Sequence, residues 1–80
     1  MDDREILQRI DTLVTEEHRL TGEHHGGRLS EAERQRMDAL EVMLDQCWDL
    51  LRQRRARRHA GQNPDDAEVR PASVVERFVG

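Results

Sequence analysis

The densest run of potentially reactive side chains lies between residues 52 and 59, where five arginines and a histidine stand close together. Clustered arginines can neutralise phosphates and release condensed counterions, so one interpretation is contact with nucleic acid. The other is structural, because cations at a helix C-terminus oppose the helix dipole. Acidic residues near both chain ends are available as partners, and no aromatic stacking platform accompanies the arginines, so pairing within the chain is favoured. The arginines are Arg52, Arg54, Arg55, Arg57 and Arg58, and the acids are Asp2, Asp3, Glu5, Asp65, Asp66 and Glu68.

A second group of residues has the composition of a metal site. Histidines and glutamates between residues 16 and 25 offer the nitrogen and oxygen ligands that zinc and related metals accept. Their spacing matches no common metal-binding motif, and two of the histidines fall in a glycine-rich turn. We therefore expect no bound metal or cofactor and keep a metal-responsive regulator as an alternative. Its ligands would be His18, His24 and His25.

Residues for catalysis are few. The chain has no Ser/His/Asp arrangement beside glycine turns, no glycine-rich phosphate loop and no strand pattern, so we expect that it is not an enzyme. Its single cysteine, Cys47, cannot form an internal disulfide. Because Cys47 falls on an apolar helix seam, we expect a buried thiol in a reducing compartment, and a reactive cysteine is the alternative.

Two amphipathic helices must position these residues. The first is predicted over about residues 3–21, where apolar residues recur at helical spacing and Glu17 interrupts the seam. We expect Glu17 to pair with Arg34 or Arg36 of the second helix. A glycine-rich turn follows at about residues 22–29. The apolar positions of the first helix are Ile6, Ile10, Leu13 and Leu20.

The second helix is predicted over about residues 30–60. Ser30 followed by Glu33 has the spacing of a capping box, and Gly61 is suited to end the helix. Pro64 and Pro71 divide the remaining residues, so 62–80 are predicted as an extended tail with a short terminal helix that docks on a neighbour. The apolar seam of the second helix comprises Met37, Leu40, Leu44, Cys47 and Leu51.

The predicted fold class is all-α, with residues 1–61 forming an antiparallel, coiled-coil-like two-helix hairpin. The first helix is the shorter, so we expect Trp48, Leu51 and the arginine-rich end to overhang it unless the tail or a second chain covers them. Such a hairpin buries one stripe only, and its surplus apolar residues favour a homodimeric four-helix bundle. The predicted dimer or partner interface is Leu44, Cys47, Trp48, Leu51 and Phe78.

Length and composition support self-association. An 80-residue chain has a marginal core, and 38% charged residues leave most faces wet. Residues 1–50 carry a net charge of −7, whereas residues 51–80 carry +3. The N-terminus lacks the basic and apolar regions of a secretory signal, and no apolar run approaches the roughly 20 residues that cross a bilayer. We therefore expect a cytoplasmic protein with no membrane contact.

One stretch of the sequence supports a family assignment. Residues 44–56 read Leu-Asp-Gln-Cys-Trp-Asp-Leu-Leu-Arg-Gln-Arg-Arg-Ala, and Asn63-Pro64 and Arg70-Pro71 follow. With these residues the chain resembles a family of short actinobacterial proteins catalogued only as a domain of unknown function. The resemblance covers nearly the whole chain and implies a small, helical, cytoplasmic protein. It implies no activity and no functional residues.

The sequence thus predicts a non-enzymatic interaction or structural module. It would act through homodimerisation and through a partner surface at the Trp48 and arginine-rich end of the second helix, toward an unidentified protein. The alternatives are a nucleic-acid-associated accessory protein that uses the arginine cluster, and the metal-responsive regulator described above.

Overall fold

The structure is a computed structural model that describes residues 1–22 and 28–79, the last four of them by backbone only. All its regular elements are helical, and the two long helices contact each other, which confirms the predicted all-α pair. Residues 23–27 of the predicted turn, including His24 and His25, lie outside the described residues. The elements are α1 (Asp3–Gly22), α2 (Glu31–His59), a 3₁₀ turn (Pro64–Asp66) and α3 (Ala72–Val79).

Both long helices begin with reciprocal caps. The backbone N–H of Glu33 donates to the Ser30 hydroxyl at 3.2 Å, and the Ser30 N–H donates to the Glu33 carboxylate at 2.8 Å. This confirms the predicted capping box. Asp2 and Glu5 form the same arrangement at the start of α1, with distances of 2.8 and 3.2 Å. The caps satisfy N–H groups that have no partner within the helix, and so fix where each helix starts.

Gly61 ends α2, as the sequence predicts. Its φ of +73° is a left-handed conformation that side chains with a Cβ disfavour. The N–H of Gln62 donates to the Arg57 carbonyl at 2.8 Å, and the N–H of Gly61 donates to the Arg58 carbonyl at 3.2 Å. These two bonds form a Schellman motif, which turns the chain back along α2.

The core lies between α1 and α2, along the predicted seams. Ile6 and Leu40 are fully buried, and Met37, Leu44 and Leu51 pack partly buried at the margin. The core forms one apolar stripe on each helix, and most of the outward positions are polar or charged. The buried members of this core are Ile6, Ile10, Leu13, Leu40, Cys47 and Leu50.

The tail packs on a different face of α2. The 3₁₀ turn and α3 both contact α2, and among the described residues neither contacts α1. Val75 of α3 is completely buried. The central helix is therefore α2, with α1 along one face and the tail running back along another.

The predicted overhang of the arginine-rich end is wrong. Asp3, in the first turn of α1, bonds to both Arg54 and Arg58, so α1 covers this end of α2. Helical side chains lean toward the N-terminus of their helix, which carries these guanidinium groups back to the level where α1 begins.

Near the turn, Arg36 pairs with a different glutamate from the one expected. Arg36 bonds bidentately to Glu16 at 2.7–3.1 Å, and not to Glu17. Glu17 is half-buried and makes no ion pair among the described residues. Helical spacing places Glu16 at the edge of the seam, where a long arginine on α2 reaches it without being desolvated.

Candidate functional site

Arg54 is the centre of the arginine-rich end. Its side chain is only 6% exposed, and it donates to Asp3 at 2.5 Å, to Asp65 at 3.0 Å and to the Pro64 carbonyl at 3.1 Å. One guanidinium thus joins α1, α2 and the 3₁₀ turn. These bonds raise the pKa of Arg54, and its hydrogen bond lowers the pKa of Asp3 below the usual carboxyl value.

The other arginines of the cluster divide into two groups. Arg58 donates to Asp3, so the predicted pairing within the chain is confirmed for it and for Arg54. Arg52 is exposed and lies 4.0 Å from Asp49. In the described part of the chain, Arg55 and Arg57 make no ion pair. The structure therefore does not bring the five predicted phosphate contacts together on one open surface.

Asp49 is a functional candidate that the sequence reasoning missed. It is fully buried, on the face of α2 that turns away from α1. Arg70 of the tail donates to both of its oxygens, one bond measuring 2.9 Å, and the Gln53 amide donates to it at 2.9 Å. The Arg70 bond is the main cause that lowers the pKa of Asp49, so the carboxylate is charged at neutral pH. The sequence feature that could have identified Asp49 is its position in an otherwise apolar run, with Arg70-Pro71 downstream.

Two glutamines extend this contact along α2. The Gln46 amide donates to the Arg70 carbonyl at 3.2 Å, and the Gln53 amide donates to the Glu68 carbonyl at 2.8 Å. Positions 46, 49 and 53 share one helix face because their spacings are three and four. Together they hold the backbone and the charged side chain of the non-helical segment 68–70.

Cys47 is buried within the chain's own core, which confirms the predicted buried thiol. Burial raises the pKa of Cys47, and Arg9 beside it opposes that effect more weakly. A cavity of about 140 Å³ lies next to the thiol, between Met1, Arg9, Met43 and Val69. Ligand pockets usually measure about 300 Å³ or more, so this space is smaller than a typical ligand site.

The apolar residues predicted for a partner surface differ in exposure. Trp48 is 46% exposed, whereas Leu44 and Leu51 are half-buried against the core. The side chain of Phe78 lies outside the described residues. Leu7 of α1, which the prediction did not include, is 50% exposed.

The metal-binding alternative gains no support from the described residues. They contain no group of three or more His, Cys, Asp or Glu side chains that could hold an ion, and His18 is exposed. The two other predicted ligands, His24 and His25, are among the residues left undescribed. None of the described helices is both long and apolar enough to span a bilayer.

Comparison with known proteins gives a family and no activity. The family described as "Protein of unknown function (DUF2630)" matches residues 2–79. Relatives in Mycobacterium bovis and Mycobacterium tuberculosis, each named only as an uncharacterized protein, are 49% identical over 79 residues, covering 98% of this chain and 91% of their own length. No solved structure matches the chain. The resemblance found in the sequence is confirmed, and the chain belongs to this family of unknown function.

Proposed function

We propose that the protein is a non-enzymatic helical interaction module that self-associates in the reducing cytoplasm. The surface for this is an apolar face formed by Leu7, Val14, Leu44 and Trp48. The observation that carries the proposal is the half exposure of Leu7 and Trp48, 50% and 46%, one on each long helix. Large apolar side chains grouped on a surface are typical of protein interfaces.

Helix geometry argues that these residues share one side of the hairpin. Consecutive helix residues turn by about 100°, so Leu7 and Arg9 lie at opposite edges of the α1 seam. Arg9 lines the edge that the tail closes, together with Val69. Leu7 therefore lies at the other, open edge. On α2, Trp48 points away from the tail-binding positions 46, 49 and 53 and toward the same open edge.

A second copy fits this face better than an unrelated partner does. In an antiparallel pair centred on Trp48, the exposed Arg55 of one copy lies toward the exposed Glu41 of the other, whereas a parallel pair places like charges together. The molecule is 50 Å long, which leaves room along its side for the roughly 800 Å² per partner that a stable interface buries. A four-helix arrangement would also cover the margin of the thin core.

The nucleic-acid alternative has less support. Arg54 is buried, and both Arg54 and Arg58 form ion pairs with Asp3. Of the predicted phosphate contacts, Arg52, Arg55 and Arg57 remain for an external anion. Three arginines on an acidic chain of net charge −4 make a weak electrostatic site.

Sedimentation velocity of the purified chain tests the self-association. We expect a species of twice the 9.4 kDa chain mass at tens of micromolar, and a dissociation constant at least tenfold higher for Trp48→Gln or Leu7→Gln. Val69→Gln is the matched control. Val69 is 58% exposed but lies on the tail side, so its substitution should leave the dimer unchanged.

A wild-type chain that stays at 9.4 kDa up to several hundred micromolar would overturn the dimer. Equal weakening by Val69→Gln would show that the face is wrongly assigned. Binding of the chain to a short DNA duplex at low salt would favour the nucleic-acid alternative instead, if Arg55→Glu abolishes that binding and Trp48→Gln does not.

A further inference from the structure

The tail is held to α2 by an arrangement that resembles peptide recognition. The segment from Glu68 to Arg70 is non-helical and follows Ala67, whose backbone is extended (φ −69°, ψ 138°). In an extended segment, carbonyls two residues apart point the same way. Here those of Glu68 and Arg70 both accept a glutamine amide from α2, at 2.8 and 3.2 Å, while Val69 between them is 58% exposed.

The arginine of this segment enters a site made for a guanidinium. Asp49 is completely buried and offers both carboxylate oxygens to Arg70. A planar guanidinium fits a carboxylate through two parallel bonds, which a lysine cannot form. The glutamines thus bind backbone, which any sequence provides, and Asp49 selects arginine.

We propose that the Gln46, Asp49 and Gln53 face of α2 is a binding site for extended, arginine-containing peptide segments. The tail is its intramolecular ligand, and an added segment with the same chemistry competes for the site. This face is separate from the Leu7 and Trp48 face, so the inference does not depend on the proposed self-association.

The covalent link makes the tail a strong competitor. A short linker, residues 60–63, joins α2 to the tail, and short flexible linkers give effective concentrations in the millimolar range. An added peptide therefore binds the wild-type chain weakly. Removing Arg70 from the tail weakens the internal ligand and leaves Asp49 for an added arginine.

The test uses the full-length chain and a synthetic peptide with the sequence of residues 64–75. We expect Arg70→Ala to bind this peptide at least tenfold more tightly than the wild-type chain does, measured by fluorescence anisotropy of labelled peptide. A peptide with alanine at the position of Arg70 should not bind, and a peptide with lysine there should bind at least tenfold more weakly. The double variant Asp49→Asn/Arg70→Ala should lose the binding. Far-ultraviolet circular dichroism verifies that each variant remains helical.

A measurement on the wild-type chain keeps the proposal testable if Arg70→Ala fails to fold. Excess peptide should shift the side-chain amide NMR signals of Gln46 and Gln53, whereas the alanine peptide should not. The proposal is overturned if the arginine and alanine peptides behave alike, or if the peptide neither binds a folded Arg70→Ala chain nor shifts these signals.

Discussion

At the scale of single residues, Asp49 ties the tail to α2 through its bonds with Arg70. A fully buried carboxylate is costly unless it is paired and hydrogen-bonded. Asp49 meets both conditions, because Arg70 and Gln53 bond to it. In the described residues, every buried side-chain nitrogen and oxygen has a hydrogen-bond partner. The bonds that offset the cost of burying Asp49 therefore also fix the tail against α2.

Asp49 should make stability depend on pH. Its pKa is lowered in the folded chain, so its contribution is present above the unfolded carboxyl pKa of 3.8 and is lost as pH falls through the folded value. We expect Asp49→Asn to lower the free energy of unfolding by about 2 kcal/mol at pH 7 and by much less near pH 2. Urea denaturation at both pH values measures this difference.

Asp11→Asn is the matched control for this effect. Asp11 is exposed on α1 and has no ion pair among the described residues, so its substitution should change unfolding little at either pH. If Asp49→Asn costs as much at pH 2 as at pH 7, the charge of Asp49 is not what stabilises the tail.

At the scale of elements, α2 organises the molecule because it presents three different faces. One carries the apolar seam toward α1, one carries Gln46, Asp49 and Gln53 toward the tail, and Trp48 lies on the third. The Schellman motif at the end of α2 directs the chain back onto the second of these faces. The path of the tail therefore depends on the backbone conformation of Gly61.

Substitution of Gly61 should be destabilising for a purely conformational reason. A Cβ at this position meets nothing within 4 Å, but the φ of +73° disfavours any residue that has one. We expect Gly61→Ala to lower the free energy of unfolding by about 1 kcal/mol. Thermal unfolding followed by circular dichroism measures the change.

Gly22→Ala provides the opposite control. Gly22 is helical, and a Cβ there also meets nothing within 4 Å. Alanine favours helix over glycine, so this variant should gain up to about 1 kcal/mol. Destabilisation by both variants would mean that space, rather than backbone conformation, limits these positions.

At the scale of the whole molecule, the core is thin for the number of residues it supports. Few of the described side chains are completely buried, and a chain of this length has a stability on the order of 4–12 kcal/mol. A single core defect therefore removes a large share of the total. Ion pairs that join α1, α2 and the tail through Arg54 supplement the core at its open end.

Leu40 is a suitable position for measuring the effect of a single core defect, because its side chain is fully buried. We expect Leu40→Ala to lower the free energy of unfolding by about 3 kcal/mol, as removal of a buried leucine leaves a cavity. Leu40→Met, which conserves volume, should cost less than about 1.5 kcal/mol. Denaturation at several protein concentrations separates this effect from any change in self-association. Similar decreases in the free energy of unfolding for Leu40→Ala and Leu40→Met would argue against a closely packed core.

Much of the hairpin could be predicted because its causes are local. Apolar spacing at Ile6, Ile10 and Leu13, the capping box at Ser30 and the terminating Gly61 each act within a few residues. The burial of Cys47 followed from its place on the seam. The candidate site was harder to predict, since Asp49 and Arg70 are 21 residues apart and neither resembles a motif.

The sequence by itself determined the helical elements, their caps and the apolar stripe that pairs α1 with α2, because periodicity and capping are short-range effects. Tertiary structure alone decided which charges are internal partners. Arg54 and Arg58 converge on Asp3 across more than 50 residues, whereas Arg55, next to Arg54 in sequence, makes no such pair in the described chain. Adjacent helix residues point about 100° apart, so only the packing of the helices determines which arginine is buried and which faces solvent.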